Sequence, residues 1–180
     1  MTSTTLDNEA AVRLLVAAFA DDPVARWLLP GSAGSADRVF RPVVEQSAAL
    51  GELAADGAAV AVWLPRAADP PEFDVDLIPR ELTRLRTFMA LTEQRHPAGR
   101  AHLHLVFLGV APDARGRGLG SALLRARLAE ADAAAVPAYL EASSPRSRPL
   151  YERDGFRVTG DLILLPDGPP LWPMWRDPRS

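Results

Sequence analysis

The glycine-rich stretch at residues 110–120, VAPDARGRGLG, constrains the fold more than any other part of the chain. The apolar run Leu103–Val110 before it has the length of a strand, and residues 121–130 after it are rich in strong helix formers at helical spacing. Glycine lets a backbone turn sharply and approach a ligand, and the first N–H groups of a helix lack intrahelical partners. Because Arg115 and Arg117 add positive charge, the stretch predicts an anion site, specifically a site for pyrophosphate.

Two common phosphate-binding loops do not fit this stretch. The dinucleotide fingerprint requires glycines in the order G-x-G-x-x-G, whereas the spacing here is Arg115-x-x-Gly118-x-Gly120. A Walker loop requires a lysine, and the chain contains none. On the loop alone, a glycine-rich turn that only begins a helix remains the alternative.

Length and composition limit the kinds of protein that this chain can be. With 180 residues it is expected to form a single domain over residues 1–180. A net charge of −3 argues against nucleic-acid binding, and the lack of cysteine excludes disulfides, thiolate nucleophiles and cysteine metal sites. The first residues have no signal-peptide pattern and no run approaches the roughly 20 apolar residues of a membrane span, so we expect a cytoplasmic protein without a membrane partner.

Hydrophobic periodicity and turn residues predict a mixed order of helices and strands. Helices are predicted over Asp7–Ala20, Ala36–Leu50, Arg80–Arg95, Leu119–Ala134 and Arg148–Arg153. Strands are predicted in a hairpin over Gly51–Pro65 that turns at Asp56-Gly57, and over residues 102–110, Pro137–Ala142, Phe156–Leu165 and Pro170–Trp175. A loop is expected over Gly31–Ser35. Pro42 is expected in a first turn, so that the second helix would begin near Phe40, and the proline-rich residues 66–79 are expected to form a loop or lid.

A second motif lies at residues 139–156, YLEASSPRSRPLYERDGF, and ends in Leu150-Tyr151-Glu152-x-x-Gly155-Phe156. It resembles motif B of the GNAT acetyltransferase superfamily. Residues 110–120 resemble motif A of the same superfamily, the acetyl-CoA pyrophosphate loop, and the two motifs stand in the family's order and spacing. The resemblance is sharp over residues 102–160, and residues 18–24, 62–65 and 170–175 are similar to a bacterial branch of the superfamily.

The resemblance implies an α+β fold with a mixed, mostly antiparallel central sheet flanked by helices, and two strands that splay apart at the acetyl-CoA site. Acetyl-CoA would be the co-substrate, its pantetheine arm paired with free backbone groups near Leu108, Gly109 and Val110. Its pyrophosphate would lie on the backbone N–H groups of the loop, from Arg115, Gly116, Arg117, Gly118, Leu119, Gly120 and Ser121. Ser144 stands where the family often has an asparagine that contacts the cofactor.

Three residues are candidates for the catalytic chemistry. The resemblance assigns Tyr151 as hydrogen-bond donor to the departing CoA sulfur, and the ordinary pKa of tyrosine, near ~10, keeps that proton in place. His104 occupies a strand position where some lysine-acetylating relatives have a glutamate, so it is a candidate general base, with a packing or surface role as the alternative. Glu141 is the second candidate base, with a structural salt bridge as its alternative. A metal site on His102 and His104 lacks an evident third ligand, so no metal is expected.

These features predict an N-acetyltransferase that moves an acetyl group from acetyl-CoA to a primary amine by direct attack in a ternary complex. The alternative is a non-catalytic acyl-CoA-binding or regulatory module on the same scaffold. The acceptor pocket is expected to be lined by Trp27, Trp63, Phe88 and the loop over 66–79, which favours a small amine with an apolar part. The family's first strand, before the first helix, is expected to be short or missing, and a homodimer is left open.

Overall fold

A computed structural model describes residues 7–30, 33–71 and 73–179 of the chain. The helices in these residues are α1 (Asn8–Ala18), α2 (Pro23–Leu28), α3 (Ala33–Ala49), α4 (Thr83–Arg95), α5 (Leu119–Ala133) and α6 (Arg148–Arg153). The strands are β1 (Leu53–Asp56), β2 (Ala59–Arg66), β3 (His102–Val110), β4 (Ala138–Ala142), β5 (Arg157–Val158), β6 (Ile163–Leu164) and β7 (Pro170–Arg176). Two short 3₁₀ turns lie at Val75–Leu77 and Pro112–Ala114.

The strands form a mixed sheet with the order β1-β2-β3-β4-β7-β5, and β6 pairs with β7. The β3–β4 pair is parallel, whereas the other pairings between described strands are antiparallel. With helices packed against this sheet, the predicted α+β class is confirmed.

Apolar side chains on the two faces of β2 pack under different helices, because successive residues of a strand point in opposite directions. Trp63 lies in a cluster with Leu103 and Leu105 of β3 and Leu124 and Leu128 of α5. Its neighbours Val60 and Val62 belong to a second cluster that includes Val12 and Leu15 of α1 and Phe40 and Val44 of α3. A third cluster joins α2, α4 and the C-terminal strands through Val24, Trp27, Phe88, Leu91, Ile163, Leu165 and Leu171.

The C-terminal end of the sheet is fixed by a partly buried ion pair. Arg176 of β7 is 3% exposed, and its Nη1 and Nη2 donate to the two carboxylate oxygens of Asp132 at 2.7 Å each. Its Nε also donates to the backbone carbonyl of Asp154 at 2.9 Å. This bidentate geometry joins α5 to β7 across the sheet.

Pro42 lies inside α3, so the prediction that this helix begins near Phe40 was wrong. The expected loop over Gly31–Ser35 is helical from Ala33 onward, and residues 31 and 32 lie outside the described part of the chain. Proline in a helix interior removes one backbone donor. Pro42 and Arg38, whose carbonyl loses that donor, are both exposed, so water can satisfy the carbonyl.

The single strand predicted over Phe156–Leu165 is two short strands, β5 and β6, separated by a turn. Gly160 adopts a φ of 66° in this turn, a conformation that favours glycine. The hairpin turn also lies one residue later than predicted, at Gly57-Ala58, because Asp56 pairs with Ala59. The question of a first strand before α1 falls on residues 1–6, outside the described residues. In the described part of the chain, every helix is too short or too polar to cross a membrane.

Candidate active site

The parallel pairing of β3 with β4 ends after two residue pairs. Leu103 is opposite Ala138 and His104 is opposite Tyr139, and the described residues contain no further pair between these strands. Beyond this point β3 continues to pair with β2 on its other side. The backbone groups of residues 105–110 that point toward β4 therefore have no strand partner. Leu108, Gly109 and Val110 lie in this segment, so the predicted splay of the two strands is confirmed.

A β-bulge marks the place where β3 leaves β4. Val62 is opposite Phe107, but the next residue of β2, Trp63, is opposite Leu105, so the pairing skips Val106. Bulges bend a strand and increase its twist. The bulge therefore accompanies the opening of the sheet just beyond His104.

The glycine-rich loop forms a cavity of about 290 Å³ at the N-terminus of α5. Seven of the predicted cofactor residues line it: Val110, Arg115, Gly116, Gly118, Leu119, Gly120 and Ser121. Leu150 and Arg153 of α6 complete the wall, together with Ala114. The two sequence motifs thus meet at one cavity.

Backbone conformation explains the glycines of this loop. Gly116 and Gly118 have φ values of 78° and 80°, in the left-handed region that glycine adopts without strain. A Cβ on Gly120 would lie 3.1 Å from Cγ2 of Val110, so glycine lets α5 pack closely on β3. Among the described residues, no side chain caps the N-terminus of α5 and no acidic residue occupies its first turn. The first N–H groups of this 15-residue helix are therefore available to an anion.

The two arginines of the loop use their side chains to bind backbone carbonyls. Arg115 donates from Nη2 to the carbonyl of Ala18 at 2.7 Å, and Arg117 donates to that of Asp113 at 3.1 Å. Arg115 therefore ties the loop to the end of α1. Arg115 also lines the cavity and places positive charge beside it, whereas Arg117 is not part of the cavity wall.

Tyr151 lies on α6, and its ring packs edge-on against Phe156 with 6.1 Å between the ring centroids. Burial raises the pKa of the Tyr151 hydroxyl, and the negative charge of Asp22 raises it further. The hydroxyl thus keeps its proton over the physiological range and is available as a hydrogen-bond donor.

Asp22 links the start of α2 to the end of β4. Its Oδ1 accepts hydrogen bonds from the backbone N–H groups of Val24 and Ala25 and so caps α2. Its Oδ2 accepts a hydrogen bond of 2.5 Å from the hydroxyl of Ser143. Asp22 therefore places a carboxylate close enough to Tyr151 to affect its pKa.

Ser144 is engaged in the turn that precedes α6. Its Oγ accepts a hydrogen bond of 3.1 Å from the backbone N–H of Ser147, and the two serine hydroxyls are also 3.1 Å apart. A contact between Ser144 and the cofactor would use the hydrogen-bonding positions of this hydroxyl that the turn leaves free.

His104 and Glu141, the two candidate bases, form a hydrogen-bonded pair. Nε2 of His104 lies 2.8 Å from Oε2 of Glu141, and their side chains are 16% and 10% exposed. Burial opposes ionisation of Glu141, but the charge and hydrogen bond of His104 outweigh it and lower the pKa of the carboxyl group. A negative carboxylate held against an imidazole fixes the orientation of that ring.

The other two histidines of the chain, His96 and His102, adjoin this pair. Their Nε2 atoms are 2.9 Å apart, and Nδ1 of His102 lies 2.7 Å from the carbonyl oxygen of Arg100. Burial lowers the pKa of His96 to about 3, assisted by the nearby charge of His104, and burial also lowers the pKa of His102. Both rings are therefore neutral near pH 7.

Three polar atoms around this group have no hydrogen-bond partner among the described residues. They are Oη of Tyr139, Oε1 of Glu141 and Nε of Arg66. The Tyr139 ring contacts His96, His102 and His104 with centroid separations of 4.8, 5.8 and 5.4 Å. Burial raises the pKa of Tyr139, and the charge of Glu141 adds to this effect. The three histidines, Tyr139 and Glu141 therefore form a polar cluster that has little access to solvent.

The three aromatic residues predicted to line one acceptor pocket do not come together. Trp63 is fully buried in the cluster beneath α5. Trp27 and Phe88 share the separate cluster of α2, α4 and the C-terminal strands. Trp27 is fixed there, because its Nε1 donates to the carbonyl of Pro166 at 2.9 Å. Trp27 is also buried, so of the three only the partly buried Phe88 remains a candidate for an acceptor surface.

Sequence reasoning missed His96, Asp22 and Ser143. His96 follows α4 and reaches β3 and β4 only through the packing of that helix, which no local pattern records. Asp22 carries a recognisable signal, since Asp-Pro at a helix start is typical of a capping residue followed by a first-turn proline. That signal predicts the cap, but it does not predict the contact with Ser143, which lies 121 residues further along the chain.

Comparison with known proteins shows what the chain is similar to. Residues 77–156 match the model of the acetyltransferase (GNAT) family. A Corynebacterium glutamicum protein, histone acetyltransferase HPA2 and related acetyltransferase, is similar at 27% identity, with a TM-score of 0.63 over 100% of this chain and 96% of that chain. Arylalkylamine N-acetyltransferase 2 from Aedes aegypti is similar at 16% identity and a TM-score of 0.66, over 99% and 97% of the two chains. Drosophila melanogaster polyamine N-acetyltransferase is similar at 18% identity and a TM-score of 0.62, over 94% and 93%.

Residues 77–156 thus match the GNAT acetyltransferase family, and the whole chain is similar in fold to known acetyltransferases. The matched region contains both sequence motifs, the cavity at α5 and the opened edge of β3. The likenesses to the two insect enzymes, each below 25% identity, show the shared fold.

Proposed function

We propose that the protein is an acetyl-CoA-dependent N-acetyltransferase that acts on a small primary amine. The observation that carries this proposal is the end of the β3–β4 pairing at His104 and Tyr139. It leaves unpaired backbone groups between the cavity at α5 and the His104–Glu141 pair. A site for a long, hydrogen-bonding cofactor thus adjoins a candidate proton acceptor.

Acetyl-CoA suits the residues present, since the uncapped first turn of α5 and the left-handed glycines expose backbone donors for its pyrophosphate. When bound, it supplies an acetyl thioester whose carbonyl carbon forms a bond to the amine nitrogen as the bond to sulfur breaks. Leu108, Gly109 and Val110 hold the pantetheine arm through their backbone, and one of their N–H groups polarises the carbonyl. Tyr151 donates its proton, or a hydrogen bond, to the sulfur that departs.

His104 takes the proton that the amine loses, directly or through water, and Glu141 orients the ring and stabilises its charged form. The pair is nearly buried, so few competing hydrogen bonds to bulk solvent remain. Holding the two substrates close together in a reactive orientation accounts for much of the rate acceleration, as is general for reactions between two bound molecules.

Two features support a cationic amine as the acceptor. The carboxylate of Asp22 lies near Tyr151 and attracts an ammonium group. The partly buried Phe88 and Leu91 provide apolar surface on α4 for the remainder of the molecule. Structural neighbours named for agmatine, polyamines and arylalkylamines act on molecules of this kind.

The test is release of CoA from acetyl-CoA in the presence of agmatine, a polyamine, an arylalkylamine and a lysine-containing peptide. Each small amine is matched with the alcohol that has a hydroxyl in place of its amino group. We expect turnover with at least one amine and none with its alcohol, with the acetylated amine identified by mass spectrometry. Tight binding of acetyl-CoA without turnover on any amine would instead favour the non-catalytic acyl-CoA-binding module.

A further inference from the structure

All three histidines of the chain meet in one place, beside a buried carboxylate. His96, His104 and Glu141 each offer one ligand atom, and these atoms lie within 4.8 Å of one another. The side chains of His96 and Glu141 are only 6% and 10% exposed. The sequence showed no third ligand beside His102 and His104, because His96 and Glu141 arrive from other elements.

Hydrogen bonds determine where the protons lie on these rings. The carbonyl of Arg100 can only accept, so Nδ1 of His102 carries a proton and donates to it. Burial favours uncharged rings, and an uncharged His102 then has a bare Nε2. Nε2 of His96 must therefore donate across the 2.9 Å contact. This leaves Nδ1 of His96 as an unprotonated lone pair.

That lone pair faces another acceptor. Nδ1 of His96 lies 3.9 Å from Oε1 of Glu141. No described residue forms a hydrogen bond of ordinary geometry to this oxygen, although the Tyr139 hydroxyl lies close enough to help lower the pKa of Glu141. Two buried lone pairs that face each other repel unless something positive or a proton donor lies between them. A cation between the ring and the carboxylate removes the repulsion and satisfies both atoms.

We propose that His96, His104 and Glu141 form a binding site for a divalent transition metal ion of the Zn²⁺ class. The ligands are Nδ1 of His96, Nε2 of His104 and the carboxylate of Glu141, with water as a fourth ligand. Two imidazoles and one carboxylate are a ligand set that zinc accepts.

The ligand spacing suits such an ion. With metal–ligand bonds of about 2.0–2.1 Å, tetrahedral ligand atoms lie about 3.3 Å apart. The observed separations of 2.8 Å between His104 and Glu141 and 3.9 Å between His96 and Glu141 fall on either side of that value. The two distances involve different oxygens of the carboxylate, and all three ligand atoms lie within 4.8 Å of one another, so side-chain rotation is needed to bring them to coordination distances.

The surroundings also supply the outer contacts that metal-binding histidines need. Metal-ligating imidazoles usually donate their second N–H to a fixed acceptor, which orients the ring. His96 donates to His102, and His102 donates to the carbonyl of Arg100. This chain fixes the ring of His96 with Nδ1 directed at Glu141.

The test uses the untagged full-length protein, freed of metal with a chelator and titrated with Co²⁺ and then Zn²⁺. We expect one Co²⁺ per chain with the visible absorption of a four-coordinate site, displaced by Zn²⁺. His96→Ala, His104→Ala and Glu141→Gln should each weaken binding by at least about tenfold, as loss of a metal contact does. Glu93→Gln is the matched control, since Glu93 pairs with Arg66 near the cluster but is not a ligand, and it should bind the ion as the wild type does.

Circular dichroism of each variant shows whether it is folded. If a ligand variant does not fold, His96→Gln, which keeps a polar side chain at this position, is used to test the site instead. Folded wild-type protein that binds no Co²⁺ or Zn²⁺ at micromolar concentration would overturn the proposal and indicate a bridging water. Binding that all three ligand variants retain would overturn it as well.

Zinc should also slow acetyl transfer reversibly, because it takes His104 and Glu141 as ligands. This removes the carboxylate that stabilises the charged ring and lowers the basicity of Nδ1 of His104, the nitrogen left free to accept the amine proton. This part rests on the proposed function, whereas the Co²⁺ spectrum does not. Binding of Zn²⁺ without inhibition would support the metal site and contradict the role of His104 as base, so the two failures are distinguishable.

Discussion

Nε2 of His104 lies 2.8 Å from Oε2 of Glu141, at the last residue pair before β3 and β4 separate. His104 lies on β3, which forms one half of the sheet with β1 and β2. Glu141 lies on β4, which forms the other half with β7 and β5. This hydrogen-bonded pair thus bridges the two halves of the sheet next to the opening. The same contact can position a base and hold the strands together, and kinetics separates these two roles.

We expect His104→Gln and Glu141→Gln to lower kcat while leaving the affinity for acetyl-CoA nearly unchanged. General base catalysis typically contributes about 10²–10⁴-fold, so removal of His104 should lower kcat within that range. Glu141→Gln should have a smaller effect, because an amide can still accept a hydrogen bond from the ring. The measurements are steady-state kinetics and calorimetric titration with acetyl-CoA. Loss of cofactor affinity with unchanged kcat would assign the pair a structural role only.

Substitution of Gly118 by valine should abolish acetyl-CoA binding. Gly118 has a φ of 80° at the start of α5, where a β-branched residue is strained by about 1–2 kcal/mol and distorts the loop. Gly160→Val is the matched control, since Gly160 has a φ of 66° in an exposed turn between β5 and β6. Both variants should lose a similar amount of stability, but only Gly118→Val should lose binding. Equal acetyl-CoA affinities in the two variants would contradict the assignment of the loop.

Tyr151→Phe should lower kcat and leave acetyl-CoA affinity unchanged. The substitution keeps the ring that packs on Phe156 and removes only the hydroxyl whose pKa is raised by burial and by Asp22. If the hydroxyl protonates the departing sulfur, an acetyl thioester with a more acidic thiol should be less affected by its loss. Wild-type turnover in the variant with the preferred amine would remove Tyr151 from the chemistry.

The sequence predicted the parts of this protein that depend on local patterns. The glycine loop, α5 and the motif around Tyr151 are contiguous segments, and their order alone indicates the fold and the cofactor. The pairing of His104 with Glu141 joins residues that are 37 positions apart, and both were identified without any indication that they touch. Trp63 was predicted to line the acceptor pocket but lies in the core, because the sequence does not show that a helix covers its face of the strand.

Asp132→Asn should destabilise the fold strongly at neutral pH. Its bidentate contact with Arg176 lowers the pKa of Asp132 to about 2, and Arg176 itself is 3% exposed. Leaving that guanidinium without its carboxylate should cost about 3 kcal/mol, the lower end of the range for breaking a buried ion pair. Urea unfolding of the two proteins measures the difference.

The same pair predicts how this difference depends on pH. A carboxyl group whose pKa is lowered by folding adds stability above its unfolded pKa, and that stability disappears as the pH falls toward the folded value. The wild type should therefore lose its advantage over Asp132→Asn between about pH 4 and pH 2. Asp37→Asn, which breaks an exposed pair with Arg41, is the control and should have a much smaller effect at every pH. An advantage that persists unchanged at pH 2 would contradict this account.

Asp22→Asn should raise KM for the amine more than it alters the affinity for acetyl-CoA. Asparagine caps a helix about as well as aspartate, and its NH2 group, in the place of Oδ2, can donate a hydrogen bond to the Ser143 hydroxyl. The substitution therefore removes the charge with little change to the cap of α2. If the carboxylate attracts the ammonium form of the acceptor, the effect on KM should shrink as ionic strength rises. Ser143→Ala provides the comparison, because it breaks the 2.5 Å hydrogen bond but leaves the charge in place. If KM for the amine is the same in the wild type and in Asp22→Asn and does not change with salt, Asp22 has no part in recognition of the amine.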